Sequence, residues 1–318
     1  MTGSPPPSRD SSGTRVRSID RGRACSASPD AVEPHAHRSS VPPALLHRRV
    51  GRAVLLLVAV LAIGGCAHVP PRPSAQVSAF SAAVPGGAYP GGWRELSFSK
   101  FRKPTKYALV DSCGTTVVEA NADGSSSGLA EPLDIDPRKY PWLTWRWKVP
   151  RFIPGIDNTR RATEDSPARL EISFDGDMSK VPFDDRLFFA EVKALTGLDM
   201  PYATLEYVWG DGAPAETVIV NTWTSRIRMI LIEIGAKHSG RWVTEKRNVY
   251  EDYRRAYGEE PGKITAIAII TDTDATGQKA TAYYGDISFL PTEPSGGEGS
   301  DTAAVDRREG LECPARDK

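Results

Sequence analysis

The stretch YPWLTWRWK, residues 140–148, decides which fold this sequence predicts. Successive side chains of a β-strand point to opposite faces, so alternating apolar and polar residues predict a strand with one buried face. The apolar positions are Leu143, Trp145 and Trp147. Arg146 and Lys148 fall on the other face, where they are candidates for contact with a ligand. The tryptophans have two interpretations: they are core residues, or they are exposed indoles that stack on sugar rings.

Similar runs of β-favouring residues recur on both sides of this stretch, separated by turn residues. With it they cover residues 93–98, 106–111, 115–120, 142–149, 168–174, 203–209, 217–222, 227–234, 264–271 and 282–289. Helical spacing of apolar residues occurs at 185–195 and at 248–257, where Asn248 and Glu251 form a capping-box-like start. The sequence therefore predicts a mainly β fold, a jelly-roll-like antiparallel β-sandwich with two short helical excursions.

Composition divides the chain into four parts. Residues 1–65 are predicted to be a disordered extension followed by a lipoprotein signal peptide, because the first part lacks any apolar period. Residues 66–92 are rich in Pro, Ala and Gly, which is typical of a tether. The β-sandwich is predicted over 93–290, and a disordered tail over 291–318.

The export signal is a basic cluster at 47–52, an apolar run at 53–63 and two glycines before Cys66. The apolar run is too short to span a bilayer and ends at Gly-Gly-Cys, which favours a secretory signal over the alternatives of a short transmembrane anchor or a buried core helix. The residues IGGC at 63–66 resemble a bacterial lipobox, so Cys66 is the predicted lipidation site. We expect a membrane partner through this lipid anchor. Position 67 is Ala and not Asp, and the resemblance to sorted lipoproteins then implies a location at the periplasmic face of the outer membrane.

The charge balance argues against nucleic acid as a partner. The chain has 40 Lys and Arg against 40 Asp and Glu. Residues 1–65 hold 9 of the basic and 4 of the acidic residues, so cleavage before Cys66 leaves 31 against 36, a formal charge of −5. Nucleic-acid binders need a basic footprint instead. The four cysteines lack paired metal-ligand spacing; Cys113 and Cys313 could pair, or Cys113 could be a free thiol.

The loop TDTDATG, residues 271–277, resembles the opening of a calcium site. Alternate side chains there converge on one hard cation. Asp272 and Asp274 are the candidate ligands, with Asp286 from the next strand as a third. The alternative is a hairpin turn held by Asx-type hydrogen bonds. No cofactor is predicted apart from calcium.

Asp165, Arg169 and Glu171 form the second candidate group for ligand binding. Two carboxylates beside an arginine can perform acid–base chemistry on a glycan if their pKa values differ. A solvated loop with a salt bridge along the strand is the alternative. The predicted fold contains no GxSxG elbow, P-loop or GxGxxG motif, so no catalytic residue is assigned. Residues 242–253, with their alternating charges, are predicted to be a surface helix.

Several motifs, taken in order, resemble a bacterial family catalogued only as domain of unknown function 3047. They are residues 140–148, Asp165 with Ala168-Arg169, YVWG at 207–210, EKRNVYEDY at 245–253, AIITDTD at 268–274 and YGDI at 284–287. The resemblance covers roughly 93–289 and differs from the family pattern at Glu164 and Ala275. The second difference argues against a metal in that loop. The family implies no activity.

These observations favour a non-catalytic, ligand-binding β-sandwich displayed on a lipid anchor, with a glycan or another envelope component as its partner. The alternative is an envelope enzyme that acts on polysaccharide through the carboxylate and arginine group. A purely structural role in an envelope complex is a third possibility.

Overall fold

The computed structural model describes residues 76–98 and 102–294, which form two packed β-sheets. One sheet has seven strands in the order β1 (Arg94–Leu96), β4 (Ser126–Ile135), β11 (Ile264–Asp272), β6 (Ser166–Phe174), β7 (Ala203–Gly210), β9 (Ile227–Ile234) and β8 (Val218–Val220). The other has five strands in the order β10 (Val243–Asn248), β5 (Trp142–Lys148), β12 (Lys279–Leu290), β3 (Thr115–Asp123) and β2 (Lys106–Ser112). Only β7 and β9 pair in parallel, so the predicted antiparallel sandwich is confirmed.

The alternating stretch forms a strand with one buried face, as its two-residue period predicts. In β5 the side chains of Leu143, Trp145 and Trp147 are at most 1% exposed. The ring of Trp145 stacks 5.2 Å from Tyr207, and the ring of Trp147 lies 5.9 Å from Trp209 in the facing sheet. The tryptophans therefore fill the space between the sheets, and the interpretation of them as exposed sugar-stacking residues is wrong.

The two predicted helices are present with slightly different bounds. Helix α1 runs over Phe183–Thr196 and ends at Gly197, whose φ of 78° is the left-handed conformation that glycine adopts without strain. Helix α2 runs over Val249–Tyr257, and the Asn248 side chain accepts a hydrogen bond from the backbone N–H of Glu251. This is the N-terminal cap that the sequence predicts.

Two of the observed strands are not predicted by the sequence pattern. The surface helix predicted over 242–253 is wrong in its first half, because Val243–Asn248 forms β10 and pairs with β5. The free edge of β5 supplies backbone partners there, and the Trp147 indole donates to Glu245 Oε1 at 3.2 Å, so tertiary context overrides the charged composition. Strand β4 was missed because Gly128 and Pro132 interrupt its β-favouring pattern.

The described part of the predicted tether, residues 76–92, packs on the sandwich instead. Phe80 is fully buried in a short 3₁₀ helix, Phe80–Ala82, and its ring lies 4.7 Å from that of Trp93. Ser78 donates to Glu131 from both its backbone N–H (2.8 Å) and its hydroxyl (2.6 Å). Apolar burial of the phenylalanine and these hydrogen bonds hold the segment in place.

Several predictions fall on residues outside 76–98 and 102–294. These are the extension and signal peptide, Cys66, the beginning of the tether, Cys313 and the tail from residue 295. Cys113 is disulfide-bonded, so it is not a free thiol. None of the helices in the described residues is long and apolar enough to cross a membrane.

Candidate functional site

The predicted site residues lie on opposite outer faces of the sandwich. Arg169 and Glu171 belong to β6 and alternate with its buried core residues, so they point away from the five-stranded sheet. Arg146 and Lys148 alternate with the tryptophans of β5 and point away from the seven-stranded sheet. The core separates the two pairs, so they form two surfaces rather than one cleft.

The first surface is a carboxylate–arginine cluster, made of Arg169 and the carboxylates of Glu164, Glu171, Glu206 and Asp272. Arg169 Nη1 lies 2.8 Å from Glu206 Oε2 and 3.8 Å from Glu164 Oε1, and Nη2 lies 3.7 Å from Asp272 Oδ1. Arg169 is 6% exposed. One buried cation therefore stands among four carboxylates.

The cluster changes the protonation of its members. Burial raises the pKa of Glu171 to about 8, with a further contribution from the charge of Glu206, while Arg169 opposes the rise. Burial also raises the pKa of Asp272 to about 7 and the pKa of Glu206 above its usual value. For Arg169, burial lowers the pKa but the neighbouring carboxylates outweigh it. Such perturbed carboxyl groups are typical of functional sites, although structural ion pairs also produce them.

Strand register supplies a residue that sequence reasoning missed. Glu206 of β7 lies directly opposite Glu171 of β6, so both carboxyl groups project from the same face of adjacent strands. The only signal in the sequence was a charged residue inside the apolar run at 203–209. Nothing in the sequence states which residue of β7 faces Glu171.

The Asp165 side chain contacts the loop that follows β11. Its carboxylate accepts hydrogen bonds from the backbone N–H of Ala275 (3.0 Å) and of Thr276 (2.8 Å), and from the Thr276 hydroxyl. The side chain therefore holds the loop that follows β11. If the protein is an enzyme, the second carboxyl group beside Glu171 is that of Glu206 rather than that of Asp165.

The calcium candidates are divided between two places. Carboxylate oxygens of Asp165, Asp272 and Asp274 lie within 4.8 Å of one another, so Asp165 joins the two predicted residues. Asp286 instead accepts hydrogen bonds from the backbone N–H (2.9 Å) and hydroxyl (2.5 Å) of Ser81. Arg102 approaches Asp274 to 2.5 Å and supplies a positive charge where a cation would bind. Calcium binding at Asp272 and Asp274 stays a prediction.

The second surface is a basic–aromatic face on the five-stranded sheet, made of Arg146, Lys148, Trp242 and Tyr283. The Arg146 guanidinium lies 4.7 Å from the centre of the Trp242 ring, and the Trp242 and Tyr283 rings are 6.4 Å apart. Arg146 lies flat across Gly285, where a Cβ atom would meet its Cγ at 2.5 Å. The aromatic residues of this face were also missed, because Trp242 borders a strand that the sequence did not predict.

The same outer face continues into a basic pocket of about 480 Å³. Its lining includes the cations Lys103, Lys106, Arg151 and Lys279. Asp123 lies 2.8 Å from Lys103 Nζ and 3.7 Å from Lys279 Nζ. Lys106 and Arg151 form no ion pair with any residue that the structure describes. Thr281 and Asn121 connect the pocket to Tyr283, two residues further along β12.

A family model for a protein of unknown function (DUF3047) matches residues 91–288. The chain belongs to the DUF3047 family. The resemblance that the motifs indicated is thereby confirmed, and the matched residues contain both surfaces. No curated protein matches the chain.

Solved structures that match this chain include several that are named as glycoside hydrolases or carbohydrate-binding modules. The glycoside hydrolase domain of Endo-D from Streptococcus pneumoniae is 8% identical, with 64% of this chain and 22% of that chain covered and a TM-score of 0.28. An exo-β-agarase is 12% identical, with 70% and 26% covered and a TM-score of 0.30. A family 30 carbohydrate-binding module from Clostridium thermocellum is 11% identical, with 71% and 95% covered and a TM-score of 0.30. The match spans about a quarter of the first two proteins, and at such TM-scores these likenesses carry no functional argument.

Proposed function

We propose that this DUF3047 protein is a glycan-binding β-sandwich of the cell envelope and that the basic–aromatic face binds the glycan. The observation that carries the proposal is the continuity of this face, from the Arg146–Trp242–Tyr283 cluster into the basic pocket. Aromatic rings offer apolar platforms to the faces of sugar rings, and neighbouring cations bind hydroxyl or acidic groups.

The charges of this face favour an anionic glycan. The cations of this face and of the pocket that adjoins it are Lys103, Lys106, Arg146, Lys148, Arg151 and Lys279, and the described acids beside them include Glu119 and Asp123. Lys106, Lys148 and Arg151 have no carboxylate partner among the described residues. Because the chain after residue 65 carries a formal charge of −5, a positive patch at this face is a local exception.

Binding to a charged and an uncharged form of one polymer tests this function. We expect polygalacturonate to bind the purified protein and its methyl ester to bind more weakly, because esterification removes the carboxylates. Trp242→Ala is expected to weaken both interactions about tenfold, the equivalent of about 1.4 kcal/mol. The double variant Lys106→Ala, Arg151→Ala is expected to weaken only the binding of the charged polymer and to make that binding less dependent on salt. Isothermal titration calorimetry measures these affinities.

Lys180→Ala is the matched control, because Lys180 is exposed like Lys106 and Arg151 but lies in the short 3₁₀ helix Met178–Lys180 after β6. It should bind as the wild type does. Absence of binding to every glycan of an array, acidic and neutral, would contradict the proposal. Binding that survives all the substitutions on this face would place the glycan elsewhere. In that case the alternative of a polysaccharide-active enzyme, with Glu171 and Glu206 as its carboxyl pair, becomes the stronger hypothesis.

The lipid anchor is the second part of the proposal, supported by the lipobox-like residues 63–66. We expect mass spectrometry of the membrane fraction to find acyl chains on an N-terminal Cys66. Cys66→Ser is expected to move the protein into a soluble fraction, because acyl chains contribute about 0.8 kcal/mol per buried CH₂. A Cys66→Ser variant that remains in the membrane fraction to the wild-type extent would count against the anchor.

A further inference from the structure

Helix α1 carries apolar residues on two opposite faces. Phe189 is buried in the sandwich core and Phe188 packs against that core, so this face attaches the helix to the sheets. The opposite face carries an apolar strip of four exposed residues, Phe183, Leu187, Ala190 and Ala194. Phe183 is 65% exposed and Leu187 is 55% exposed, so the described residues leave both largely uncovered. A continuous exposed strip of this kind is typical of an interaction surface.

The spacing of the apolar strip is that of a heptad repeat. Its residues follow each other at intervals of four, three and four positions. In a heptad abcdefg the apolar residues occupy positions a and d. Leu187 and Ala194 therefore take a positions, and the other two residues take d positions. Two helices that each supply such a strip pair along it.

Charged residues flank the apolar strip, with opposite signs on its two sides. The e positions hold the acids Asp184 and Glu191. The g positions hold the bases Arg186 and Lys193. Lys193 lies 2.6 Å from Asp199 of its own chain, whereas Arg186 and Glu191 form no ion pair with any described residue. Arg186 and Glu191 are therefore available to a partner, one on each side of the strip.

We propose that α1 pairs with the same helix of a second copy of this chain, parallel and side by side, in a two-fold symmetric dimer. In a parallel pair, position g of one helix faces position e of the other, five residues further along. Arg186 then faces Glu191 of the second copy, and the symmetry forms this ion pair twice. Antiparallel pairing would instead place like charges together, g beside g and e beside e.

The two charges complement each other only between copies. Residues five apart on one helix lie on different flanks, because helix neighbours are three or four residues apart. The four flanking residues are two acids and two bases, so they give the strip no attraction to an anionic membrane. A second copy therefore fits this surface better than a bilayer does. The inference does not depend on the function proposed for the basic–aromatic face.

The helix is formed before it meets its partner. An isolated helix of the length of α1, 14 residues, is marginal in water because its first turn is costly to form. Packing on the sandwich meets that cost, so pairing needs only to order the side chains of the strip. The strip covers only two heptads and buries little surface, so we expect a Kd on the order of 10–100 μM.

Sedimentation velocity on the purified protein, combined with charge reversal, tests the dimer. Arg186→Glu and Glu191→Arg are each expected to weaken dimerisation about tenfold or more, because like charges then face each other twice. An equimolar mixture of the two variants is expected to dimerise as the wild type does, because opposite charges face each other again in both pairs. Recovery in the mixture also shows that both variants are folded.

Arg254→Glu is the matched control, since Arg254 is an exposed base on α2, and it should leave the Kd unchanged. The proposal is overturned if the wild type stays monomeric up to about 500 μM, well above the expected Kd. It is also overturned if either single variant dimerises as tightly as the wild type, or if the mixture stays monomeric.

Vesicle binding distinguishes a membrane from a second copy as the occupant of the strip. The Cys66→Ser protein carries no lipid anchor, so we expect it to leave phosphatidylglycerol vesicles unbound while it dimerises. Binding to these vesicles that Leu187→Asp removes would assign the strip to a membrane and overturn the dimer.

Discussion

Replacing Arg169 by alanine is expected to lower the free energy of unfolding by about 3–5 kcal/mol at neutral pH, the usual cost of breaking a buried ion pair. Arg169 is the cation nearest to Glu164, Glu206 and Asp272, and it approaches Glu206 to 2.8 Å. Without it these buried carboxylates repel each other and must take up protons. A loss of this size is a large part of the roughly 5–15 kcal/mol that stabilises a typical domain.

Urea unfolding at pH 7 and pH 5 measures the effect. The loss should be smaller at pH 5, because the carboxyl groups are then protonated at little cost. Arg169→Met separates charge from packing, since methionine keeps the apolar stem and removes the guanidinium. Arg160→Ala is the control: Arg160 is 77% exposed and its ion pair with Asp157 should contribute less than about 1 kcal/mol. If Arg169→Met is as stable as the wild type at pH 7, the positive charge of Arg169 does not contribute to the stability of the protein.

Glu171→Gln is expected to stabilise the protein at pH 8 by about 1–2 kcal/mol, which raises Tm by roughly 3–6 °C. Burial raises the pKa of Glu171 to about 8 in the folded protein, and unfolding returns it to its ordinary value of 4.5. The folded state therefore binds the proton more tightly, and its contribution to stability is present below pH 4.5 and is lost as the pH rises through 8. Solvent reaches this half-buried side chain and screens its charge. We therefore expect the change in the free energy of unfolding to be only part of the value that corresponds to the full pKa shift.

Thermal melts from pH 4 to pH 9 check this prediction. The wild-type Tm should fall with rising pH relative to that of Glu171→Gln, and the two should converge near pH 4. The charges of Glu206 and Arg169 act on this group, and Glu164 and Asp272 in turn pair with Arg169, so the slope belongs to the cluster rather than to Glu171 alone. Parallel Tm curves for the two proteins over the whole pH range would show that Glu171 titrates normally.

Local pattern was sufficient for much of the fold. The alternation in residues 140–148 correctly separated the core tryptophans from Arg146 and Lys148. Asn248 and Glu251 correctly marked the start of a helix. Both predictions rest on contacts between residues close in sequence, where the chain geometry alone decides which side chains share a face.

The sites depended on contacts between residues far apart in sequence. Glu206 is 35 residues from Glu171, and the register of β6 with β7 brings them opposite each other. Trp242 reaches Arg146 because β10 pairs with β5. The Asp286 carboxylate accepts a hydrogen bond from Ser81, whereas Asp165 joins Asp272 and Asp274. Asp165 is 110 residues from Ala275, whose backbone N–H donates a hydrogen bond to it, and only the folded chain brings the two together.

The sequence by itself determined that the chain is a mainly β sandwich, which residues of the alternating strand at 140–148 face the core, and that a lipobox-like segment precedes the sandwich. Only the tertiary structure decided that Arg169 and Glu171 stand apart from Arg146 and Lys148, and which carboxyl groups gather around one guanidinium. The physical reason is that the face of a strand follows from its two-residue period, whereas its neighbours follow from sheet order and register. Sheet order and register are set by the packing of the whole core.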